Sequence, residues 1–405
     1  MSELIPHLFR TEAGKITASL CKHFGIEHID VAEDITHDTF LRALEVWPFR
    51  GVPDNPVAWL YAVAKNKAIN IVKREKKLHS IITKASVGDA NRVEIDLTPE
   101  GITDSQLRML FAVSHPSLAM EAQIALALRV LCGFGIAEIA SAFLSNAETV
   151  NKRLLRAKKK LRDHQVKLEL PGPSELLSRL ESVQLTLYLL FNEGYYSETC
   201  DEIIREDLCF EALRLTNLLI DYEPTRTPST LALAALMNFQ ASRLKARRID
   251  GKLVLYTDQE EGQWNWALIN AGAQLLHQAT QGNHVSRYHL EASIAYWHTR
   301  KDNTEEKWES ILHLYDLLLQ LHYSPVAALN RTFAVWKVRG VDAAISAAEQ
   351  LGLEGNPYYH ILLGELYKEK KMTAAKEHFS IALKLVRTTT ERHFIENKLS
   401  QFRDA

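Results

Sequence analysis

Two runs of basic residues are the strongest candidates for chemistry in this sequence, and that chemistry would be the binding of phosphate groups. The segment from Lys65 to Lys77 contains six basic residues and one acid, Glu75. The segment 147–162 contains seven basic residues and one acid, Glu148. One such run usually forms the solvated face of a helix. Two runs in one half of the chain, each at the end of a helical pattern, favour a nucleic-acid partner.

Patterns typical of enzymes, cofactor sites and metal centres are absent from the sequence. We find no phosphate-binding loop, no glycine-rich dinucleotide fingerprint, no nucleophile elbow and no zinc-protease motif. The 16 histidines are spread singly, without partners at metal-ligand spacing. The four cysteines are too few and too scattered for a disulfide framework, which indicates a reducing compartment, and none forms a C-x-x-C pair. We therefore expect no catalytic residue, no cofactor and no metal.

One unusual segment, Asn192-Glu193-Gly194-Tyr195, ends an apolar run. A glutamate beside a glycine and two tyrosines is compatible with a catalytic or ligand-binding pocket. The same pattern is typical of a helix C-terminus, with Gly194 just after the last helical residue and aromatic rings packed beneath it. The chemistry of these residues favours the structural interpretation.

The composition predicts an all-α protein of two or three domains. The 405 residues are 46% hydrophobic and 24% charged, and only 17 are glycine and 12 proline, which argues against a loop-rich sandwich or barrel. The N-terminus lacks the apolar core of a signal peptide, and no apolar stretch reaches the roughly 18 residues of a membrane span. We expect a soluble, cytoplasmic protein. The net charge of −2 combines +3 over residues 1–163 with −5 over the remainder.

Helical patterns cover most of the N-terminal half. Residues 8–47 place apolar side chains near a 3.6-residue period, and the prolines and glycine from Pro48 onward break this pattern. A further helix begins with Asn55 as its N-cap and Pro56 at its first position. Residues 78–104 lose the periodicity and gather glycine, proline and acids, so we predict a linker there.

A helix-turn-helix is predicted in the segment that carries the second basic run. A short helix, Ile136–Phe143, meets a turn at residues 144–146, and a second helix begins at Ala147. This spacing is typical of a motif that places its second helix in a DNA major groove. Ala140 lies where the helices cross, and the apolar core between them would consist of Ile139, Val150 and Leu154. An ordinary helical hairpin is the alternative.

An internal repeat is visible near the C-terminus. The later copy contains Leu363-Gly364-x-x-Tyr367 and Ala375-x-x-x-Phe379, and a shift of 34 residues leads back to Leu329-Asn330-x-x-Phe333. This period is that of the tetratricopeptide repeat, in which stacked helix pairs form a superhelix with a concave face for peptides. A helical scaffold without a ligand is the alternative.

Three blocks in the N-terminal half resemble, in this order, the extracytoplasmic-function (ECF) sigma factors of bacterial RNA polymerase. AEDITHDTFLRALEVW resembles sigma regions 2.1–2.2, NPVAWLYAVAKNKAINIVKREKK resembles regions 2.3–2.4, and TVNKRLLRAKKKLR resembles region 4.2. Other motifs extend the resemblance to ECF group forty-two, whose members carry a tetratricopeptide-like C-terminal domain. These motifs are GVPDNPVAWL, LALRVLCGFGIAEIASAFL, LYLLFNEGY, the stretch around Arg248-Ile249-Asp250-Gly251, and SPVAALNR. One departure is Val113-Ser114 before His115-Pro116, where the family usually has paired cysteines, and it puts a thiol-based role there in doubt.

The resemblance implies a promoter-specificity subunit without enzymatic activity. Its segments would be sigma region 2 at residues 1–77, a linker at 78–104, sigma region 4 at 105–165 and a tetratricopeptide-like regulatory domain at 174–405. The implied function is to direct core polymerase to promoters by melting the −10 element and recognising the −35 element, with the C-terminal domain modulating activity. The implied partners are core RNA polymerase, through its β′ and β subunits, promoter DNA, and a protein or peptide ligand of the C-terminal domain. No membrane contact is expected.

The resemblance also implies the residues that make these contacts. The β′ coiled coil would bind an acidic and apolar face that contains Asp34, Asp38, Phe40, Leu41 and Arg42. Stacking groups and cations for the single-stranded −10 element would be Trp59, Lys65, Asn66, Asn70, Lys73 and Arg74. Trp59 is equally compatible with a place in the core. Base-edge and phosphate contacts to the −35 element would come from Glu148, Thr149, Lys152, Arg153, Arg156 and Lys159.

Two functions of other classes stay open. A conventional activator or repressor with a tetratricopeptide sensor would bind duplex DNA without polymerase and would not need Asp34 or Asp38. An enzyme would hold a pocket built around Asn192, Glu193 and Tyr195.

Overall fold

The computed structural model contains two compact units, Met1–Leu189 (the first unit) and Leu190–Ala405 (the second unit). The residues that it describes are 4–83, 95–143, 145–195, 206–249, 252–254, 256–282, 284–368, 370–386 and 389–402. The predicted all-α class is confirmed. An element that the sequence patterns did not predict is a minimal antiparallel hairpin, Arg248–Ile249 (β1) with Lys252–Leu253 (β2).

The first unit is built around its N-terminal helix, α1, which packs against α2, α4 and a π-helical turn, Ala127–Leu131. Trp47, Phe111 and Phe134 are among its fully buried side chains. The helices described in this unit are Leu4–Phe24 (α1), Ile29–Arg50 (α2), Pro56–Thr83 (α3), Pro99–Val113 (α4), Met120–Leu126 (α5), Ile136–Ala142 (α6), Ala147–Asp163 (α7) and Pro173–Tyr195 (α8), the last of which extends past its boundary.

Side-chain caps define where two functionally important helices begin. The side-chain oxygen of Asn55 accepts a hydrogen bond from the backbone N–H of Ala58 at 2.9 Å, which starts α3 as predicted. The side-chain oxygen of Asn146 accepts a hydrogen bond from the backbone N–H of Thr149 at 2.7 Å, which starts α7. The predicted helix-turn-helix is therefore confirmed as α6 and α7. Its expected core residues are at most 5% exposed, namely Ile139, Ala140, Val150 and Leu154.

The predicted linker at residues 78–104 is partly helical. Helix α3 continues to Thr83, and α4 begins at Pro99 after the N-cap Thr98. Threonine followed by proline is a helix-start signal, which the local loss of apolar periodicity concealed. The middle of the predicted linker, residues 84–94, lies outside the described residues.

The second unit consists of helices with the short hairpin inserted after α10. Helix α10 packs against α9, α11 and α12, and the later helices pack against their neighbours in sequence. The helices described in this unit are Glu206–Asp221 (α9), Pro228–Ala241 (α10), Trp266–Ala279 (α11), Arg287–Trp297 (α12), Glu305–Leu321 (α13), Pro325–Arg339 (α14), Val341–Glu349 (α15), Pro357–Tyr367 (α16), Met372–Leu385 (α17) and Thr389–Ser400 (α18).

Glycines with positive φ follow several helices, among them α2 and α14. Gly51, with φ of +81°, follows α2, so Pro48 lies inside the last turn of that helix instead of breaking it as predicted. A proline so close to the helix end removes few backbone hydrogen bonds. Gly340, with φ of +84°, is the single residue between α14 and α15 and forms the cap of both.

The 34-residue repeat coincides with two helix pairs, α14 with α15 and α16 with α17. In the later pair, Leu363, Ala375 and Phe379 are at most 1% exposed. A Cβ atom at Gly364 would lie 2.9 Å from the Phe379 ring. The missing side chain at this position therefore allows α16 and α17 to pack closely.

We expect Gly364→Ala to destabilise the second unit by about 1–3 kcal/mol, because the added methyl group would overlap the fully buried Phe379 ring. Chemical denaturation followed by circular dichroism measures the change. Gly355→Ala is the matched control, since a Cβ atom at Gly355 meets no atom within 4 Å. Equal unfolding midpoints for the two variants would contradict the close packing.

Candidate nucleic-acid interface

Helix α3 presents a polar, basic face opposite a buried apolar one. Leu60, Ala64 and Ala68 are fully buried and recur every four residues. The residues predicted to contact the −10 element lie away from that buried stripe. Of these, Lys65 is half-buried, and the others on this helix surface are exposed, namely Asn66, Asn70, Lys73 and Arg74.

Trp59, which the sequence left between a DNA contact and the core, is half-buried at the start of α3. Its ring packs edge-to-face on the ring of Trp47, with the centroids 5.4 Å apart. Trp47 is 1% exposed. Trp59 thus rests on the core with one side and is accessible on the other.

Helix α7 exposes the side chains that we predicted as contacts to the −35 element. Arg153 is half-buried, with its guanidinium 5.5 Å from the centroid of the Phe143 ring. Lys152 forms an exposed ion pair with Glu148 at 2.6 Å, one helical turn earlier. The exposed members of the set are Glu148, Thr149, Lys152, Arg156 and Lys159.

The opposite face of α7 carries two cations that form ion pairs with acids of α2. Lys158, counted in the basic run, is 8% exposed, and its ammonium group contacts Asp30 at 2.8 Å and also Glu33 on α2. Arg162 contacts Asp30 at 3.3 Å. Glu33 is in turn bound by Arg129 from the π-helical turn at 2.8 Å. We call these five residues the ionic cluster; they join the helix-turn-helix to α2.

The place of Lys158 corrects the sequence analysis, which treated the whole run as a solvated cationic face. Lys158 follows Leu154 by four positions and therefore falls on the apolar side of the helix. Its position on the apolar stripe is the signal that identifies it as buried. No sequence pattern identified Asp30 and Glu33 as its partners, because they are far from Lys158 in the sequence.

The pKa shifts in the ionic cluster favour the charged forms. Partial burial raises the pKa of the Asp30 carboxyl, but the hydrogen bond and charge of Lys158 outweigh it and hold that pKa below its ordinary value. Burial lowers the pKa of the Lys158 ammonium, but the charge of Glu33 and the hydrogen bonds to both acids raise it overall. The contribution of Asp30 to stability is therefore present above its unfolded-state pKa and is lost as the pH falls through its lower folded-state pKa.

A second contact between the same parts of the chain involves backbone alone. Gly14 of α1 approaches the π-helical turn so closely that a Cβ atom there would lie 2.0 Å from the carbonyl oxygen of Leu131. No side chain fits in this space. The close approach holds α1 against the π-helical turn, and the ionic cluster holds α2 against that turn and α7.

Helix α2 exposes a surface that combines acids with apolar side chains. Asp34, Asp38 and Arg42 are exposed, as expected for residues that contact a partner. Leu41 is 55% exposed and Leu44 is 53% exposed, which is unusual for leucine and typical of an interaction surface.

Phe40 does not belong to that surface. It is 4% exposed and packs edge-to-face on Phe9, with the ring centroids 4.9 Å apart. Adjacent residues on a helix point in different directions, so α2 turns Phe40 toward α1 and Leu41 toward solvent. This position removes Phe40 from the residues that a partner can reach.

The Asn192-Glu193-Gly194-Tyr195 segment ends α8. Gly194 lies inside the helix, which continues to Tyr195, so it does not take the position after the helix end that we predicted. Tyr195 is buried, and the guanidinium of Arg247 lies 3.9 Å from its ring centroid. The hydroxyl of Tyr195 accepts a hydrogen bond from Arg243 at 3.5 Å. Tyr195 is thus part of a cationic and aromatic environment.

Comparisons with known proteins coincide with these elements. The sigma-70 region 2 family matches residues 14–78, and the sigma-70 region 4 family matches residues 115–161. A family of unknown function (DUF6596) matches residues 179–280. The first range contains α2 and most of α3, and the second contains α6 and most of α7.

A full-length relative is also found. An uncharacterized protein of Rhizobium meliloti (strain 1021) is 34% identical over 390 residues, which covers 94% of this chain and 92% of that protein. No solved structure matches the chain. Within the described part of the chain, every helix is too short or too polar to cross a lipid bilayer.

We expect Glu33→Gln to destabilise the first unit by about 3–5 kcal/mol, because it removes the buried carboxylate that Arg129 and Lys158 share and leaves Lys158 with Asp30 alone. Thermal unfolding measures the loss. Asp104→Asn is the matched control, since Asp104 also binds two cations, Lys22 at 2.7 Å and Arg108 at 2.8 Å, but is more exposed to solvent. A loss for Glu33→Gln no larger than that of the control would show that the ionic cluster is not a buried contact.

Proposed function

We propose that this protein, which belongs to the same family as the Rhizobium meliloti protein, is an ECF-type sigma factor. It carries sigma-70 regions 2 and 4, and in this role it would direct core RNA polymerase to specific promoters. The two regions give the chain a role in promoter recognition and transcription initiation. The observation that carries the finer proposal is the exposure of two basic helix faces, on α3 and α7, beside an acidic and apolar face on α2. Such a protein acts in the cytoplasm, and the polymerase supplies the chemistry.

Helix α3 is suited to the single-stranded −10 element. Melted bases are held by stacking on aromatic rings and by cations that follow the phosphates. Trp59 supplies an accessible ring at the start of the helix, and Lys73 and Arg74 supply exposed cations four turns later. Asn66 and Asn70 lie between them and offer hydrogen bonds to base edges.

Helix α7 is suited to the duplex −35 element. The first turn of a recognition helix reaches base edges, and in this chain it carries Glu148 and Thr149. Glutamate accepts hydrogen bonds from cytosine, and threonine contacts either base edges or the thymine methyl group. The cations of the following turns, Lys152, Arg156 and Lys159, would bind phosphates.

The acidic and apolar face of α2 is suited to core polymerase. Exposed leucines at the centre of an interface contribute through burial, and surrounding charges determine orientation and association rate. Leu41 and Leu44 would supply the burial, and Asp34, Asp38 and Arg42 the charges. We propose the β′ coiled coil as the partner of this face.

Promoter binding requires the first unit to open. By their names, the −10 and −35 elements are about 25 base pairs apart, which is roughly 85 Å at about 3.4 Å per base pair. A compact unit that ends at Leu189 has a radius of gyration of roughly 16 Å. One compact body of this size does not reach both elements, so the ionic cluster and the Gly14 contact would break on the promoter.

The second unit is proposed as a tetratricopeptide-like domain of ECF group forty-two that modulates this activity. Support comes from the 34-residue period, which coincides with the helix pairs α14–α15 and α16–α17, and from the close packing at Gly364. A peptide or protein segment is the expected ligand of stacked pairs of this kind.

Asp34→Asn combined with Asp38→Asn is expected to weaken binding to core polymerase by at least about tenfold, which corresponds to about 1.4 kcal/mol. Both carboxylates are exposed, and the ion pair of Asp38 with Lys67 at 3.0 Å lies near the surface, so the fold should be unaffected. Pull-down and promoter-dependent transcription with purified core enzyme measure the effect. Glu309→Gln, an equally exposed change on α13, is the control.

The same experiment separates the sigma factor from a conventional activator. One outcome would contradict the sigma proposal and favour the activator interpretation. In this outcome the double variant binds polymerase as tightly as the unchanged protein, and the unchanged protein binds the promoter duplex without polymerase.

Gly14→Ala is expected to favour the open first unit, since the added Cβ would overlap the Leu131 carbonyl. Affinity for a promoter duplex in the absence of polymerase should then rise, by about tenfold for each 1.4 kcal/mol lost from the closed arrangement. Fluorescence anisotropy measures it, and circular dichroism checks that the helices are retained. Gly172→Ala, where a Cβ meets no atom within 4 Å, is the control. Unchanged affinity with retained helices would refute opening.

A further inference from the structure

Two buried cations in the second unit lie beside the ring of Tyr256. Lys307 is 1% exposed and Arg243 is 9% exposed. The Lys307 ammonium is 5.4 Å from the Tyr256 ring centroid, and the Arg243 guanidinium is 5.5 Å from it. Within the described part of the unit, neither cation has a carboxylate at ion-pair distance.

The hydrogen bonds of these cations are to neutral groups. The Lys307 ammonium donates to the Tyr256 hydroxyl at 3.1 Å and to the backbone carbonyl of Arg300. Arg243 donates to the hydroxyl of Tyr195 at 3.5 Å. Burying a charge that has only neutral partners is costly, so a chain rarely keeps two such cations together without a reason.

The local electrostatics make the position of Lys307 still less favourable. It lies in the first turn of α13, the end of a helix where the macrodipole disfavours cations. Burial lowers the pKa of the Lys307 ammonium; the carboxylate of Asp302 opposes this, and the charges of Arg300 and Arg243 add to it. Asp302 forms its ion pair with Arg300 at 3.0 Å and acts on Lys307 from beyond ion-pair distance.

Three buried polar atoms around the same ring have no hydrogen-bond partner among the described residues: Arg243 Nε, Trp264 Nε1 and His298 Nδ1. The rings of Trp264 and His298 lie 6.4 Å and 5.2 Å from that of Tyr256. Burial, together with the charges of Arg243 and Lys307, lowers the pKa of His298 to about 3. A neutral imidazole has one N–H to donate, so all three atoms are able to act as donors.

We propose that these residues form a binding site for an oxyanion, the phosphate or carboxylate group of a small ligand, between Lys307, Arg243 and Trp264. An oxyanion would supply the missing countercharge and the missing acceptors at once. The rings of Tyr256, Trp264 and Trp308 would contact the rest of the ligand. The site belongs to the second unit, whereas the residues assigned to DNA and polymerase belong to the first, and the proposal does not depend on the promoter function.

The test compares the thermal unfolding of the full-length protein in sodium phosphate, sodium acetate and sodium chloride at equal ionic strength. Phosphate or acetate, whichever matches the ligand group, should raise the Tm relative to chloride by at least about 2 °C. Lys307→Met should abolish this rise and, because it removes an unneutralised buried charge, should leave the Tm in chloride unchanged or higher. Lys245→Met, an exposed change two residues from Arg243, should keep the full rise.

Three outcomes would overturn the proposal. The first is a Tm that is the same in all three salts. The second is a rise that persists in Lys307→Met or is lost equally in Lys245→Met, which would indicate surface binding only. The third is a lower Tm of Lys307→Met in chloride, which would mean that the chain itself neutralises Lys307. Arg243→Gln is the second variant, and it should likewise abolish the rise.

Discussion

The arrangement of the first unit depends on one buried carboxylate, that of Glu33. It lies on α2 and is bound by Arg129 and by Lys158, which belong to the π-helical turn and to α7. Ions so poorly hydrated are stable only while every partner is in place. The contact is therefore either complete or lost, which favours two distinct arrangements of the unit over a continuous range. This property suits the opening on promoter DNA that we propose for the first unit.

Helix α7 serves both arrangements with different faces. Its N-terminal and outer side chains are free to meet DNA, whereas Lys158 and Arg162 near its C-terminal end hold the acids of α2. The intramolecular contact thus withholds part of the positive charge from solvent without covering the residues expected to read bases. Since phosphate contacts dominate affinity, freeing these two cations would strengthen binding more than it would change sequence preference.

The sequence allowed the prediction of features that depend on near neighbours. The N-cap at Asn55 and the apolar core of the helix-turn-helix follow from residue types within one or two turns. The buried place of Lys158 was also available from its position on the apolar stripe. Phe40 and Leu41 are both apolar and adjacent, so residue type alone could not tell which one faces solvent. The contact at Gly14 joins segments far apart in sequence, and no local pattern indicates it.

The single residue between α14 and α15 has a mechanical consequence. Gly340 adopts a conformation that other residues rarely take, and it caps both helices at once. Because the connection is a single residue, the backbone conformation of Gly340 and the packing between α14 and α15 together determine the angle between the two helices. A residue with a side chain at position 340 would be strained in this conformation, so a substitution there is expected to change the angle between α14 and α15.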